Sequence, residues 1–358
     1  MTKTISSCHK IKQLQTISSS FSRSSFGNDP FAQPGYLSYD EREPLAANWI
    51  PFDTSTLPSQ DWLTIIKAAL RPSSSIQQNA LKQIGALTHH TILVIGDSVD
   101  RQNIEFMSEN LDIKLSSVVN HNYSLTTEWS ARKAGPHEGA AKYDPRLLTI
   151  PSPVDLIITN CFIYGLDDAD HHHTRNDWAP PGLAESRLET MCKPYLQDLG
   201  RSPTFIMLHS GLWDMALFGR QDLDNNHGTE APLTSEQLNW WYTRATSVVR
   251  KIQALWPCVP IVFRKLHRAS AVGAAARYWH DRQGDTEPKF TNFFTDVRSS
   301  QIRNRQESLI RALNLKSFDW GAIWEGFKVY SYDVHPDNYP GGVVMDKAIL
   351  NYAHREAS

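Results

Sequence analysis

"TILVIGDSVDRQ" (residues 91–102) runs an apolar, β-branched segment into Gly96-Asp97-Ser98 and then into a charged helix start. A short apolar run bounded by a Gly turn reads as a buried strand. A strand that stops at such a turn and hands over to a helix puts the turn residue at the carboxyl edge of a sheet, beside a helix N-terminus. Ser98 therefore stands where a nucleophile would sit.

The same alternation recurs along the chain. Apolar β-branched runs at 91–95, 113–119, 154–159, 203–208 and 259–263 read as strands. Helical patterns lie between them, the clearest at 234–256, where Leu238, Trp241, Ala245, Val248, Ile252 and Leu255 recur at steps of three and four. Thr234 and Gln237 predict a capping box, and Pro257 stops the helix. After Ser98, Ile104, Met107 and Leu111 share one helix face, and a last helical stretch covers 343–355. Nearly all-apolar strands separated by helices argue for a parallel sheet covered on both faces. The expected class is α/β in three layers, with 1–58 as a tail and extended arm and 59–358 as one domain. The stretches 120–150 and 267–294 read as loop insertions.

Composition excludes several partners. Lys plus Arg number 36 against 38 Asp plus Glu, so no net field recruits nucleic acid or an anionic membrane. No segment approaches the roughly 18 consecutive apolar residues that spanning a bilayer takes. Cys8, Cys161, Cys192 and Cys258 lie far apart, without metal-ligand or disulfide-framework spacing, and predict a reducing, intracellular setting such as the cytoplasm. Residues 1–28 carry Lys3, Lys10, Lys12, Arg23 and many serines with no acid, a composition shared by disordered tails and mitochondrial transit peptides.

Two further stretches share the logic of the first. "FIMLHSGLWDMALF" (205–218) is an apolar strand ending in a Gly turn, with Gly211, Trp213 and Asp214 at its exit. "YSYDVHPDNYPGG" (330–342) puts Asp333 and His335 in a Pro/Gly-rich loop ahead of the last helix.

These three blocks, in this order, resemble the SGNH or GDSL-type hydrolases over roughly residues 90 to 355. Gly96-Asp97-Ser98-x-x-Arg101 with Gln102, Asn103 and Glu105 is similar to the first block of the PC-esterase and trichome-birefringence-like branch. His209-Ser210-Gly211-Leu212-Trp213-Asp214 is similar to its Asn-Thr-Gly-His-Trp-Trp, and Asp333, His335, Pro340 and Gly341 to its closing Asp-x-x-His and Pro-Gly. The resemblance implies a three-layer α/β/α sandwich of flavodoxin-like topology, no cofactor and no metal, and hydrolysis or transfer of O-acyl groups, O-acetyl above all, on carbohydrates. Two positions depart from the pattern. Asp333 and His335 are two apart rather than three, and His209 stands where the family has an oxyanion-hole Asn.

The chemistry of such a set is that of an activated serine. A hydroxyl becomes a nucleophile when a base takes its proton as it attacks, the role expected of His335, with Asp333 fixing the ring's tautomer. Backbone N–H groups of Ser98 and Gly211 are the candidate oxyanion donors. A neutral His209 would add one donor if its tautomer allows. Asp97, Arg101, Trp213 and Asp214 are the candidate substrate contacts.

Plainer roles stand beside these. Ser98 also reads as a helix N-cap, Asp97 as a turn stabiliser, and Arg101 as the partner of Glu105 at i, i+4. His335 also reads as an exposed loop histidine, and His209 and Trp213 as packing. "GLDDADHHHTRND" gathers Asp167, Asp168, Asp170 and His171, His172, His173; it is a solvated loop or a divalent-metal site. With the short Asp-His spacing, a catalytically silent carbohydrate- or partner-binding scaffold is the alternative function.

Overall fold

The computed structural model of the chain describes residues 29–56, 58–72, 75–117, 145–169, 182–269, 293–325 and 334–358. Strands β1 (Gly35–Ser38) and β2 (Asn48–Pro51) form an antiparallel hairpin. Helices α1 (Trp62–Leu70) and α2 (Ser75–Ile84) lead into β3 (Thr91–Gly96) and α3 (Ser98–Leu111). The chain continues through β4 (Ser116–Ser117), β5 (Arg146–Ile150) and β6 (Leu156–Phe162). A helical run follows, α4 (Ala184–Arg187), a wide turn and α5 (Lys193–Asp198), then β7 (Phe205–Leu208), α6 (Leu212–Asp224) and α7 (Ser235–Leu255). The last third holds β8 (Ile261–Arg264), α8 (Asp296–Ala312), β9 (Lys316–Phe318), α9 (Trp320–Glu325) and α10 (Val343–Ala357).

Seven strands make the central sheet in the order β4-β5-β6-β3-β7-β8-β9. The five from β6 to β9 are parallel, while β5 and β4 add antiparallel at one edge. In chain order the parallel set reads 2-1-3-4-5, the flavodoxin-like order, whose winding reverses beside the first strand. The crevice of such a sheet opens at the carboxyl ends of the strands flanking that reversal, here β3 and β7. Ser98 follows the one and Gly211 the other.

Alternate residues of β3 serve opposite faces. Leu93 and Ile95 belong to a core with α4 to α8, whereas Ile92 and Val94 belong to a core with α1 to α3, α9 and α10. Both faces are covered, which is why β3 carries no polar residue between Ile92 and Ile95. Each fully buried Leu, Ile or Val contributes about 1.5–3 kcal/mol relative to exposure. The segment between β1 and β2 is tied to α10 by Lys347, whose buried ammonium donates to the carbonyls of Leu45 and Ala47, each at 2.9 Å. No helix among the described residues is long and apolar enough to cross a membrane.

Four sequence expectations change. The 120–150 loop includes β5, which pairs antiparallel with β6, and its half-exposed edge pattern gave no continuous apolar run. The run at 113–119 contributes only the two-residue β4. Strand β9 went unread, since three residues carry no periodicity. The cysteine spacing misled as well: Cys161 at the end of β6 is bonded to Cys192, with Cα atoms 5.8 Å apart across 31 residues, and Cys258 is also disulfide-bonded. Disulfides of this kind belong to oxidising compartments, so the ground for expecting a reducing one falls away.

Candidate active site

The turn at 96–98 is built to present one side chain. Asp97 is the N-cap of α3, its Oδ1 accepting the Val99 amide at 2.9 Å, and its own amide donates to Asp100 Oδ2 at 3.1 Å. A Cβ on residue 96 would overlap the Asp100 carboxylate, which explains Gly96. The capping task expected as an alternative for Ser98 thus belongs to Asp97. Ser98 occupies the first helical position, half-buried, and none of these bonds uses its amide.

His335 meets it from the other end of the domain. The ring's Nε2 lies 2.7 Å from Ser98 Oγ, and the ring is half-buried, so the pair is reachable from solvent. The residue after β3 and the loop before α10 share one sheet edge because α10 packs on α3. Asp346, buried on α10, accepts from Asn103 Nδ2 at 2.8 Å and from Asn110 Nδ2 at 3.0 Å. Burial raises that carboxyl well above the ordinary carboxylate range.

Behind the serine lies a buried polar network. Arg264, at the end of β8, donates from Nε and Nη2 to the two carboxylate oxygens of Asp100 at 3.0 and 2.9 Å, both side chains fully buried. Burial, reinforced by the Asp100 charge, pushes the Asp97 carboxyl up to about 7, against the attraction of Arg264. His209 is buried beside it. Its Nδ1 lies 3.1 Å from the Arg264 carbonyl oxygen, which only accepts, so Nδ1 carries the proton and Nε2 is bare, 3.7 Å from Asp97 Oδ2. Burial first, and the Arg264 charge second, hold this ring neutral. Its one N–H is spent, and no donor remains for an acyl oxygen. The expected contribution of His209 to the oxyanion hole is corrected accordingly.

The exit of β7 divides its residues between two tasks. Gly211 precedes α6 with φ +148°, a conformation other residues adopt only under strain. Trp213 packs edge-on against Phe162 and Tyr164 at 5.9 and 5.2 Å. Asp214 is buried and accepts from the Leu166 amide at 2.7 Å, Ser210 Oγ at 2.6 Å and Trp241 Nε1 at 3.1 Å, its carboxyl pushed up to about 6 by burial. Both were expected against substrate. Instead, Trp213 fills the core, and Asp214 ties the exits of β6 and β7 to α7. Arg101 lies 3.9 Å from Glu105, which sits closer to Arg146 at 2.8 Å.

Asp333 and His171 to His173 lie outside the described residues. Among the described residues no group of three His, Cys, Asp or Glu is placed to hold a metal. Sequence reasoning missed Asp100, Arg264 and His267. The first two looked like ordinary helix and strand-end charges, and a pair 164 residues apart leaves no local signal.

No protein-family model matches the chain, and no curated protein does. Among solved structures, it is similar to a "putative GDSL-like lipase" from Parabacteroides merdae, with 14% identity, a TM-score of 0.37, and coverage of 75% of this chain and 95% of that one. That likeness transfers no residue role.

Proposed function

We propose that the chain is a serine-dependent esterase or O-acyltransferase of the SGNH type, acting on O-acyl esters. Carbohydrate O-acetyl esters are the substrate class implied by the PC-esterase-like blocks. The observation that carries the reading is the 2.7 Å approach of His335 Nε2 to Ser98 Oγ at the switch point of the sheet. In the proposed reaction Ser98 Oγ attacks the acyl carbon while His335 Nε2 takes its proton. The carbonyl oxygen becomes an oxyanion, met by the backbone N–H groups of Ser98 and Gly211. Collapse expels the alcohol, which takes the proton back from His335 and leaves the acyl group on Ser98. Water or a second hydroxyl then repeats the sequence, and Asp333 holds the ring.

Turnover of p-nitrophenyl acetate tests this. The wild-type chain should hydrolyse the ester, and Ser98→Ala and His335→Ala should each reduce kcat by orders of magnitude. Equal turnover in wild type and Ser98→Ala would remove the assignment. A wild-type chain without turnover would favour the binding scaffold.

A further inference from the structure

Two residues of the four-residue segment at the exit of β8 touch the segments that carry the two reacting side chains. Arg264 grips Asp100, two positions after Ser98, through two buried hydrogen bonds. His267 lies 2.7 Å by its Nε2 from the carbonyl oxygen of Val334, the residue before His335.

We propose that the segment Arg264–His267 is a brace that sets the separation of Ser98 and His335, with His267 as a positioning residue for the base. The inference rests on the reading of Ser98 and His335 as nucleophile and base. The segment is stiff enough for the task. The Lys265 amide donates to the Phe318 carbonyl at 2.8 Å, the Leu266 amide to Gln306 Oε1 at 2.9 Å, and Arg303 to the Leu266 carbonyl at 3.2 Å. The His267 ring is fully buried and packs against Trp324 at 5.0 Å.

The chemistry of the contact fixes its direction. A carbonyl oxygen only accepts, so Nε2 carries the proton and Nδ1 is bare, which agrees with Nδ1 having no hydrogen-bond partner among the described residues. Burial, with the Arg264 charge adding to it, pushes the ring down to about 3, so it stays neutral and keeps that tautomer. Losing the contact frees the loop at the residue next to the base. Misplacing a reacting group by about 1 Å costs on the order of a hundredfold in rate.

The test compares two amides in the full-length protein. His267→Gln places an N–H where Nε2 now stands, whereas His267→Asn is one methylene short of Val334. The rate of labelling by a fluorophosphonate probe should stay within about threefold of wild type for Gln and fall about tenfold or more for Asn. With p-nitrophenyl acetate, the Asn variant should lose kcat with KM unchanged. Indistinguishable labelling of the two variants overturns the brace while leaving the nucleophile assignment standing. An unlabelled wild type counts against that assignment instead. Should neither variant fold, nitrogen NMR of the wild-type ring decides. A neutral Nε2–H tautomer between about pH 5 and 8 is expected, and an Nδ1–H tautomer or a titration in that range overturns the proposal.

Discussion

His335 Nε2 and Ser98 Oγ stand 2.7 Å apart although 237 residues separate them in the chain. The approach follows from the winding of the sheet. Strand β3 is the middle strand of the seven-stranded sheet and flanks the reversal of its winding, so α3 starts at the crevice, and α10, docked on α3 through buried Asp346, delivers the loop that carries His335 to the same edge.

The division of labour between Asp97 and Ser98 is measurable as stability. At pH 4, where the folded state keeps the Asp97 carboxyl uncharged, Asp97→Ala removes the cap of α3 and should cost about 1 kcal/mol or more. Ser98→Ala, at a helical position that caps nothing, should leave the thermal midpoint within a few degrees. Calorimetry on the two variants checks this, and equal losses would contradict it.

Asp97 also predicts a pH dependence. Its carboxyl is raised from the ordinary value to about 7 by burial, so the folded state holds a proton that the unfolded chain gives up near pH 4. The associated stability is fully present below about pH 4 and is lost as pH rises through 7. Asn caps as well as Asp and never ionises. Asp97→Asn should therefore match wild type near pH 4 and exceed it at pH 8, by on the order of 4 kcal/mol. Denaturation curves that stay parallel at the two pH values would contradict the burial argument.

Much of the scaffold was legible in the sequence because its strands are buried on both faces. "ILVI" can only be core, and the capping box of Thr234 and Gln237 marks the start of α7 where the structure has it. What escaped reading depends on distant partners. Strand β5 is recognisable only once β6 lies beside it, and Cys161 pairs with Cys192 through a fold that brings a strand end to a helix. His209 reads as an oxyanion donor until its neighbour is known. The Arg264 carbonyl, 55 residues away, accepts the Nδ1–H hydrogen bond and settles the tautomer.

Asp333 is proposed as the residue that fixes the His335 ring. Asp333→Asn should then lower kcat for p-nitrophenyl acetate by orders of magnitude, since an amide at that position favours the wrong tautomer, as in the serine-protease triad. A loss of about tenfold or less, with His335→Ala still inactive, would show that another group orients the ring.

The disulfide of β6 makes a prediction for the protein as isolated under non-reducing conditions. Cys161 and Cys192 should resist alkylation until a reductant is added, and replacing both by Ser should cost roughly 3 to 4 kcal/mol for a closed loop of 31 residues. Immediate alkylation of both thiols would contradict the pairing.

The nucleophile is tested most directly by covalent capture. After incubation with a fluorophosphonate and proteolysis, peptide mass mapping should find one adduct per chain, on Ser98, absent from Ser98→Ala and slowed in His335→Ala. An adduct on any other residue, or none on a folded wild-type chain, would contradict the account.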